Sequence, residues 1–440
     1  MIVLLLTLGL IIPLEFTADL VEERSSMHET AINDISRHWG GTQQMRGPVL
    51  VIPFIRKYIS YTESKNGKKI ANEIMKREYR ILLPAAVNFE ANIEPQKRAR
   101  GIYEYVVYTS QIAVTGNFKI PQNAAEFGEN VHRVEWADAW FAVGVADLKA
   151  IASIGTLAWD GKPSAPYQPG TGIGNILQSG FHAPLSLDPA KDAGTKRDFS
   201  FTAAINGSGG IYFTPVGENT QITLTAAWAH PKFSGAILPK IHSIDNGAGR
   251  FSAVWDIPHL SRTYPQAASA SLEGLERELS ELANFTVGVE LFEPVSLYTQ
   301  IGRAVKYAIL FIGLTFIALL AFELVSLKRL HFMQYCLVGV AMVLFYLTLL
   351  SLAEHTSFLN AFLAASAISV VMNSLYMAVA LRSPIQGGVL AVLLMSLYAI
   401  LYAILQIEEY ALLVGTALLV VVVGVLMFLT RNLSGSAKTT

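Results

Sequence analysis

The sequence predicts a membrane protein in which one N-terminal and five C-terminal transmembrane helices flank a large, mainly antiparallel β domain inserted between the first and second helix. Three observations predict this class. The chain of 440 residues is 52% hydrophobic and 15% charged, which is more apolar than an ordinary soluble protein. The long apolar runs lie at its two ends, in residues 1–18 and 304–430. Residues 19–303 are polar, are punctuated by Gly and Pro, and alternate as β-strands do.

The charge and cysteine content exclude several classes of function. The formal net charge is −1 and the sequence pI is about 6.8, so nothing indicates a nucleic-acid partner or a polybasic lipid-binding surface. The single cysteine, Cys336, lies inside an apolar run. It rules out an intrachain disulfide and leaves no thiolate set for zinc.

The first element is the run MIVLLLTLGLIIPLEF in residues 1–18. It is short for a full span, which needs about 20 residues, and it carries neither the basic lead nor the A-x-A-like site of a cleaved signal peptide. We predict an uncleaved first transmembrane helix. A cleaved signal peptide is the alternative.

The middle region, 19–303, shows strand periodicity. In QITLTAAWAH, Ile222, Leu224 and Trp228 fall on one face, and NGSGG and GEN provide turns that need positive φ. With the preceding segments RDFSFTAAI and GIYFTPV, this pattern predicts a β-meander. Helical spacing is found in the stem after the first span and in SLEGLERELSELAN. We expect two sheets or two related lobes.

Catalytic motifs in this region fail on spacing or context. GTLAWDGKP has glycines one residue too far apart for a phosphate loop, and PGTGIGN follows no predicted strand, so we predict a turn and a loop. We therefore expect no catalytic residue, no cofactor and no metal site. The histidines of the region have no paired ligand spacing; they are His132, His182, His230, His242 and His259.

The C-terminal run divides into five spans of sufficient length, joined by short polar stretches that make neighbours antiparallel. A tail, 431–440, follows them. The predicted spans are Ala304–Val325, His331–Leu352, Ser357–Leu381, Gly387–Leu405 and Glu409–Thr430.

Basic residues in the short loops predict the orientation. Loops with Lys or Arg alternate with acidic or neutral loops, and positive loops stay in the cytoplasm. Both termini are therefore expected inside, and the β domain on the opposite side. The residues that determine this topology are Lys328, Arg329, Arg382 and Arg431.

Four polar residues of the membrane region are candidates for function, because ionisable and amide groups in spans are costly. Glu323 lies near the cytoplasmic end of one predicted span, and Glu354 and His355 end the next on the other side. All three are also interpreted as interfacial residues that reach headgroups or water. Asn373 shares a helix face with Ser366 and Ser369, which either lines a cavity or joins two helices.

Long segments of the sequence resemble the CreD family of bacterial inner-membrane cell envelope integrity proteins. The resemblance runs from about Leu10 to Asn432 in the same order and with similar spacings. The segments that carry it are RGPVLVIP, QPGTG…FHAPL, LTAAWAHPKFSGAILP, RAVKYAILFIGLTF, LKRLHFMQYCLVGVAMVLFYLTLLSLAEHTSF and LLVGTALLVVVVGVLMFLTRN.

The resemblance implies a multi-pass inner-membrane protein with a large periplasmic domain, produced under envelope-stress signalling and linked to colicin tolerance, envelope integrity and β-lactam response. It brings no catalytic residue with it. Family members carry a longer, basic lead before the first helix, and a start codon upstream of Met1 would account for this departure.

Two functional hypotheses follow. In the first, a non-enzymatic protein embedded in the lipid bilayer uses its periplasmic β domain to bind an envelope component or a protein partner. In the second, the protein is a transporter or intramembrane enzyme that uses the polar residues of the helical bundle, with Glu354, His355 and Asn373 around a cavity.

Overall fold

The computed structural model describes residues 2–63, 69–174, 176–245, 247–291, 297–326 and 330–406, together with residues 416, 420 and 424. The chain forms two compact units. One unit, called the membrane unit here, comprises Met1–Thr30 and Val295–Thr440; the other, Ala31–Pro294, is called the β domain.

The α-helices of the described residues are, in chain order, α1 (Ile2–Gly9), α2 (Ile11–Trp39), α3 (Pro189–Asp192), α4 (Leu272–Glu278), α5 (Leu297–Ser326), α6 (Phe332–Ala353), α7 (Phe358–Ala380) and α8 (Pro384–Gln406).

The β-strands are β1 (Gln43–Glu63), β2 (Lys69–Leu82), β3 (Ala86–Arg100), β4 (Tyr103–Lys119), β5 (Val131–Val134), β6 (Ala139–Val145), β7 (Ile151–Ile154), β8 (Ala158–Trp159), β9 (Lys162–Pro163), β10 (Gln168–Pro169), β11 (Gly180–Leu185), β12 (Lys196–Ser208), β13 (Gly210–Phe213), β14 (Asn219–Ala226), β15 (Pro231–Gly235), β16 (Ile241–Asp245), β17 (Arg250–Pro258), β18 (Ala267–Ala270) and β19 (Val287–Leu291).

The described strands of the β domain form two sheets. The first has the order β10-β11-β6-β1-β13-β19-β15, with β2 and β5 also paired to β1 and β18 paired to β2. The second has the order β16-β17-β14-β3-β4-β12-β8-β9, with β7 paired to β12. The β1–β13 and β3–β14 pairs are parallel, and the other pairs are antiparallel. The predicted mainly antiparallel β domain is confirmed.

The two sheets pack face to face on one apolar core. Their strands alternate between buried and exposed residues, as in β3, where Phe89 is fully buried between two polar neighbours. Aromatic rings join the sheets: the Phe89 and Phe213 ring centroids lie 5.2 Å apart, and those of Phe118 and Phe141 lie 6.3 Å apart. Such contacts stabilise the sandwich beyond simple area burial.

The predicted meander is wrong in its pairing. Its three segments do form strands, β12, β13 and β14, but consecutive strands do not pair with one another. The chain changes sheet after β12, so that β13 pairs with β1 and β19, and β14 returns to pair with β3 and β17. Alternation is a local property of the sequence, whereas the partner of a strand is set by distant residues.

The helical segments of the middle region are confirmed. The predicted stem is the second part of α2, and SLEGLERELSELAN forms α4 followed by a short 3₁₀ turn. The residues Leu275, Leu279 and Leu282 are buried in the core of the β domain. The helix begins where the Ser271 side chain accepts a hydrogen bond from the Gly274 backbone N–H.

Four helices of the described residues are long and apolar enough to cross a membrane: Leu297–Leu320 of α5, Phe332–Ala353, Phe358–Ala380 and Pro384–Gln406. They correspond to the first four predicted C-terminal spans. Helix α5 begins earlier than the predicted Ala304, because hydropathy detects the apolar part of a helix and not its polar first turns. The predicted span Glu409–Thr430, apart from the residues at 416, 420 and 424, and the tail 431–440 lie outside the described residues.

The N-terminal run forms α1 and the first turns of α2. Within the membrane unit, α1 packs against α5 and α6, and the other helices pack as neighbours in the order α5, α6, α7 and α8, with α8 also against α5. Gly339 permits the close approach of Leu10, which lies between α1 and α2, to α6, because a Cβ at position 339 would lie 2.3 Å from Leu10 Cδ1.

Candidate functional site

The end of α6 collects the largest group of polar side chains around a predicted site residue. Glu354 follows the last turn of the helix, and its carboxylate is mostly buried, with 11% of the side chain exposed. The Tyr298 hydroxyl donates to Glu354 Oε1 at 3.3 Å, and Arg24 Nε lies 3.8 Å from the same oxygen. The His28 ring packs on Tyr298 with centroids 5.4 Å apart. Residues from α2, α5 and α6 therefore meet here.

His355 does not join this group. Its side chain is exposed, and its backbone N–H bonds to the Leu352 carbonyl at 3.1 Å, as expected just after a helix end. In sequence the residue stands beside Glu354, but in the part of the chain that the structure describes no other ionisable side chain contacts it.

Glu323 lies at the opposite end of α6 from Glu354. It accepts a hydrogen bond from the Tyr335 hydroxyl at 2.9 Å, which joins α5 to the first turn of α6. The 22 residues of α6 separate the two carboxylates by its length, about 33 Å at ~1.5 Å per residue. The structure thus places Glu323 and Glu354 in different sites.

Asn373 belongs to a third, buried group. Its amide donates to the Ser369 carbonyl at 2.9 Å and lies 3.3 Å from Ser369 Oγ, which is 2.8 Å from the Tyr398 hydroxyl. Ser369, Asn373 and Tyr398 are all nearly inaccessible to solvent and join α7 to α8. Among the described residues, Ser366, the third residue of the predicted face, has its hydroxyl bonded to carbonyls of its own helix. The group makes helix–helix contacts.

Of the residues that determine the predicted topology, Arg382 is described. It is exposed and follows the C-terminus of α7 with a φ of 49°, the left-handed conformation common after a helix end. Lys328, Arg329 and Arg431 lie outside the described residues.

A cleft of about 680 Å³ between α2 and α5 is a site that the sequence analysis missed. Glu15 and Glu22 line its α2 side, and Arg303 and Lys306 line its α5 side. Glu15 and Glu22 are two helical turns apart, and Arg303 and Lys306 are one turn apart, so each pair falls on one face of its helix. That spacing is a signal in the sequence, but Glu15 lies within the apolar run 1–18 and Arg303 lies just before the predicted span.

The β domain holds a second unpredicted feature, a two-stranded extension of the first sheet called the ribbon here. It consists of Lys57–Glu63 of β1 and Lys69–Met75 of β2, which pair in register. From Tyr58 onward β1 has β2 as its neighbour among the described strands, and β2 meets β18 only from Tyr79. In the sequence, an Asn-Gly dipeptide at positions 66–67 stands between two alternating segments, a pattern that predicts the pairing of those segments.

The ribbon exposes large apolar side chains on both faces. An isolated two-stranded ribbon is only marginally stable in water, and its outer strand edges leave backbone N–H and C=O groups free to pair with another strand. Clustered exposed apolar residues of this kind typically mark an interaction surface. The exposed residues are Tyr58, Ile59, Tyr61, Ile74 and Met75.

Charged groups fasten the root of the ribbon to the domain. Arg56 Nη1 lies 3.0 Å from Glu78 Oε2, and Arg56 Nη2 donates to the Phe127 carbonyl at 3.2 Å. Only 3% of the Glu78 side chain is exposed. Tyr58 donates to Glu78, and this hydrogen bond to a carboxylate raises the pKa of the Tyr58 phenol above its usual 10.0.

A second ion cluster lies beside this root. Arg77 donates to Glu135 at 2.7 Å and to Asp138 at 2.8 Å, and Arg133 donates to Glu135 at 2.9 Å. Burial favours the protonated Glu135 carboxyl, but the two arginines outweigh it and hold the pKa of this carboxyl below its usual 4.5.

The turn and the loop that resembled nucleotide motifs are structural. Asp160 and Gly161, both with positive φ, connect β8 to β9 as a tight hairpin. Gly172 lies against the Trp140 ring, where a Cβ would be 3.0 Å from ring atoms, and Trp140 Nε1 donates to the Thr171 carbonyl at 2.9 Å. Among the described residues, no group of three or more His, Cys, Asp or Glu side chains is placed to hold a metal ion.

The distribution of these features agrees with a comparison against known families. The family described as "Inner membrane protein CreD" matches residues 1–435 of the chain. The chain belongs to the CreD family. A curated relative, "Inner membrane protein CreD" of Escherichia coli (strain K12), is 31% identical over 428 residues, which cover 96% of this chain and 90% of that protein.

Membership of the CreD family confirms the resemblance inferred from the sequence and shows an inner-membrane protein with membrane-spanning helices. The match covers both the β domain and the membrane unit.

Proposed function

We propose that this protein supports the integrity of the bacterial cell envelope, without an enzymatic activity of its own, by binding a protein partner through the ribbon of its β domain. In this proposal the β domain lies in the periplasm, and the helices hold it at the inner membrane with both termini in the cytoplasm. The ribbon is the observation that carries the proposal.

The ribbon suits a partner that contributes an extended segment or a strand edge. Its main-chain groups provide pairing, and the side chains of Ile59 and Tyr61, exposed by 58% and 66%, provide apolar contact. The ion pair of Arg56 with Glu78 holds the root in place. The ribbon therefore loses less conformational entropy when it binds a partner. A preformed, two-edged ribbon with exposed apolar side chains is therefore suited to binding a partner.

The binding proposal is tested by replacing Ile59 and Tyr61 with threonine, which keeps strand propensity but removes apolar surface. The matched control replaces Ile241 and Ile244, which are also exposed on a strand. We expect I59T/Y61T to lose complementation of a deletion strain's envelope phenotype at normal protein level, and I241T/I244T to retain it. Full complementation by both variants contradicts the proposal.

A photo-crosslinking residue at Ser60 identifies the partner directly. The same residue at Ser243, on β16, serves as the control position. We expect a defined crosslinked protein at Ser60 that I59T/Y61T abolishes. Crosslinks of equal yield at Ser60 and Ser243 would show general surface contact instead.

The proposed orientation rests on the alternation of basic and non-basic loops. A reporter fused after Leu260, in the β domain, is expected to behave as periplasmic, and a reporter after Arg382 as cytoplasmic. A cytoplasmic signal from the Leu260 fusion would overturn the arrangement and with it a periplasmic partner.

A transporter or intramembrane enzyme is the second candidate. The observation that favours it is the group of Arg24, Tyr298 and Glu354, because a mostly buried carboxylate with a cation and a hydroxyl is able to exchange a proton or bind a cation. If E354Q or H355A abolishes the envelope phenotype at normal protein level, this candidate is supported. If both variants complement fully, it is rejected.

A further inference from the structure

The cleft between α2 and α5 is amphipathic along its length. One end is lined by Ile11 and Ile309, and the other by Ser25 and Thr299. Gly302 leaves room between α2 and α5 because it has no side chain. A Cβ there would lie 3.9 Å from Val21 Cγ1. A ligand that fills such a cleft has an apolar part and a polar part.

The polar lining is divided by charge between the two helices. Glu15 and Glu22 form an acidic wall on α2, and Arg303 and Lys306 form a basic wall on α5. In the described part of the chain, Glu15, Glu22 and Lys306 make no ion pair within 4.0 Å. Exposed charges of opposite sign on the two sides of an open cleft keep their hydration until a ligand with complementary groups replaces the water.

The position of the basic wall relative to the span limits what the ligand can be. The candidate membrane span of α5 begins at Leu297, so Arg303 and Lys306 lie in its second and third turns, near one end of the span. Basic side chains near helix ends reach the phosphate level of the bilayer. The phosphate of a membrane lipid is therefore the anion most readily available to this wall.

We propose that the cleft is a binding site for a zwitterionic phospholipid with a primary ammonium headgroup. Arg303 and Lys306 bind its phosphate, and Glu15 and Glu22 accept hydrogen bonds from its ammonium group. Its volume of about 680 Å³ falls within the range of ligand sites, roughly 300–1,000 Å³. An anionic lipid would satisfy the basic wall but leave two carboxylates facing a negative headgroup.

The chain provides its own probes for a test. The one cysteine, Cys336, is half-buried in α6 of the membrane unit, and all six tryptophans lie between residues 39 and 255, in the β domain. Thiol labelling during heating therefore follows the membrane unit, and tryptophan fluorescence follows the β domain.

The experiment uses the delipidated full-length protein in detergent. Phosphatidylethanolamine is expected to raise the midpoint temperature of Cys336 labelling, with phosphatidylglycerol and soluble glycerophosphoethanolamine giving much smaller shifts. E15Q/E22Q is expected to bind phosphatidylethanolamine roughly tenfold more weakly or worse, because a charge-assisted hydrogen bond is lost. R303Q/K306Q is expected to weaken binding of both lipids. The control variant E23Q, exposed on the same helix outside the cleft, keeps the wild-type response.

Three outcomes overturn the proposal. Equal shifts from both phospholipids would show that the acidic wall does not select the headgroup. A wild-type response from E15Q/E22Q would place the binding elsewhere. A full shift from soluble glycerophosphoethanolamine would show that the ligand is a free phosphoethanolamine compound and not a lipid. If R303Q/K306Q does not fold, the two carboxylate substitutions still decide the question.

Discussion

The ribbon root in the β domain and the cleft in the membrane unit both gather acidic and basic side chains, but they do so in opposite ways. At the root, Arg56 lies 3.0 Å from Glu78, and 3% of the glutamate side chain is exposed. In the cleft, Glu15, Glu22 and Lys306 are exposed and, among the described residues, form no ion pair within 4.0 Å.

The difference separates structure from recognition. A buried pair in contact has already lost its water, so each partner depends on the other, and removal of one leaves an uncompensated charge. Charges held apart across an open cleft retain their solvation and depend less on each other, and they remain available to an added ligand. Charge at the root therefore holds the fold, whereas charge in the cleft is expected to contribute to binding.

The largest effect that follows from this comparison is at the root. Replacing Glu78 with leucine leaves the Arg56 guanidinium, of whose side chain 19% is exposed, without its buried carboxylate partner, and breaking a buried pair in this way destabilises a protein by up to about 3–5 kcal/mol. We expect the free energy of unfolding of the β domain to fall by that amount, measured by tryptophan fluorescence in denaturant. The exposed pair of Lys97 and Glu104 is the matched control. E104Q should change the free energy of unfolding of the β domain by less than about 1 kcal/mol.

A double variant sharpens this result. R56M/E78L removes both charges and keeps similar volume, so it should recover much of the stability that E78L loses. Equal loss in the single and double variants would mean that packing around Phe54 and Phe127, and not charge, dominates at the root.

A smaller change in the free energy of unfolding is expected when the pH is lowered, because of the ion cluster of Arg77, Arg133 and Glu135 beside the root. The pKa of the Glu135 carboxyl lies below its usual 4.5 in the folded protein, because Arg77 and Arg133 bind the ionised form. Its contribution is present above pH 4.5 and is lost as the pH falls below that value. The free energy of unfolding of wild type should drop in acid.

The E135Q variant tests this assignment. Its free energy of unfolding should fall less in acid than that of wild type. The difference should be about 1 kcal/mol or less, because most of the cluster is exposed. Glu290, whose pKa is lowered mainly by its hydrogen bond with Lys232, continues to contribute in that variant. E129Q, an exposed glutamate outside the cluster, is the control, and identical acid profiles for E135Q and wild type would remove Glu135 from the explanation.

The fold was predictable where the physical signal is local. Helices α6, α7 and α8 begin and end within a few residues of the predicted spans, because the length of an apolar run is fixed by the bilayer. Strand pairing was not predictable in the same way. β14 pairs with β3, more than a hundred positions earlier in the chain, and nothing in the alternation of either strand specifies the other.

The candidate sites show the same limit. The sequence places Glu354 at the end of a predicted span, as the structure does, but its partners Arg24 and Tyr298 come from two other helices. The cleft was missed because its walls lie on segments distant in sequence, and each wall alone resembles an ordinary charged helix end. The ribbon, by contrast, pairs two segments that are close in sequence, and the Asn-Gly dipeptide between them in the sequence predicts that pairing.

The smallest expected effect separates the cleft from the root most clearly. In lipid-free detergent, E15Q/E22Q should change the stability of the membrane unit by less than about 0.5 kcal/mol, because substitutions at exposed sites without a close partner rarely do more. Thiol labelling of Cys336 measures this change, and G339L, whose side chain would overlap Leu10 between α1 and α2, is the positive control for loss of stability. A loss as large as that of E78L at the root would mean that the cleft charges hold the helices together. The two charged clusters would then share one structural role.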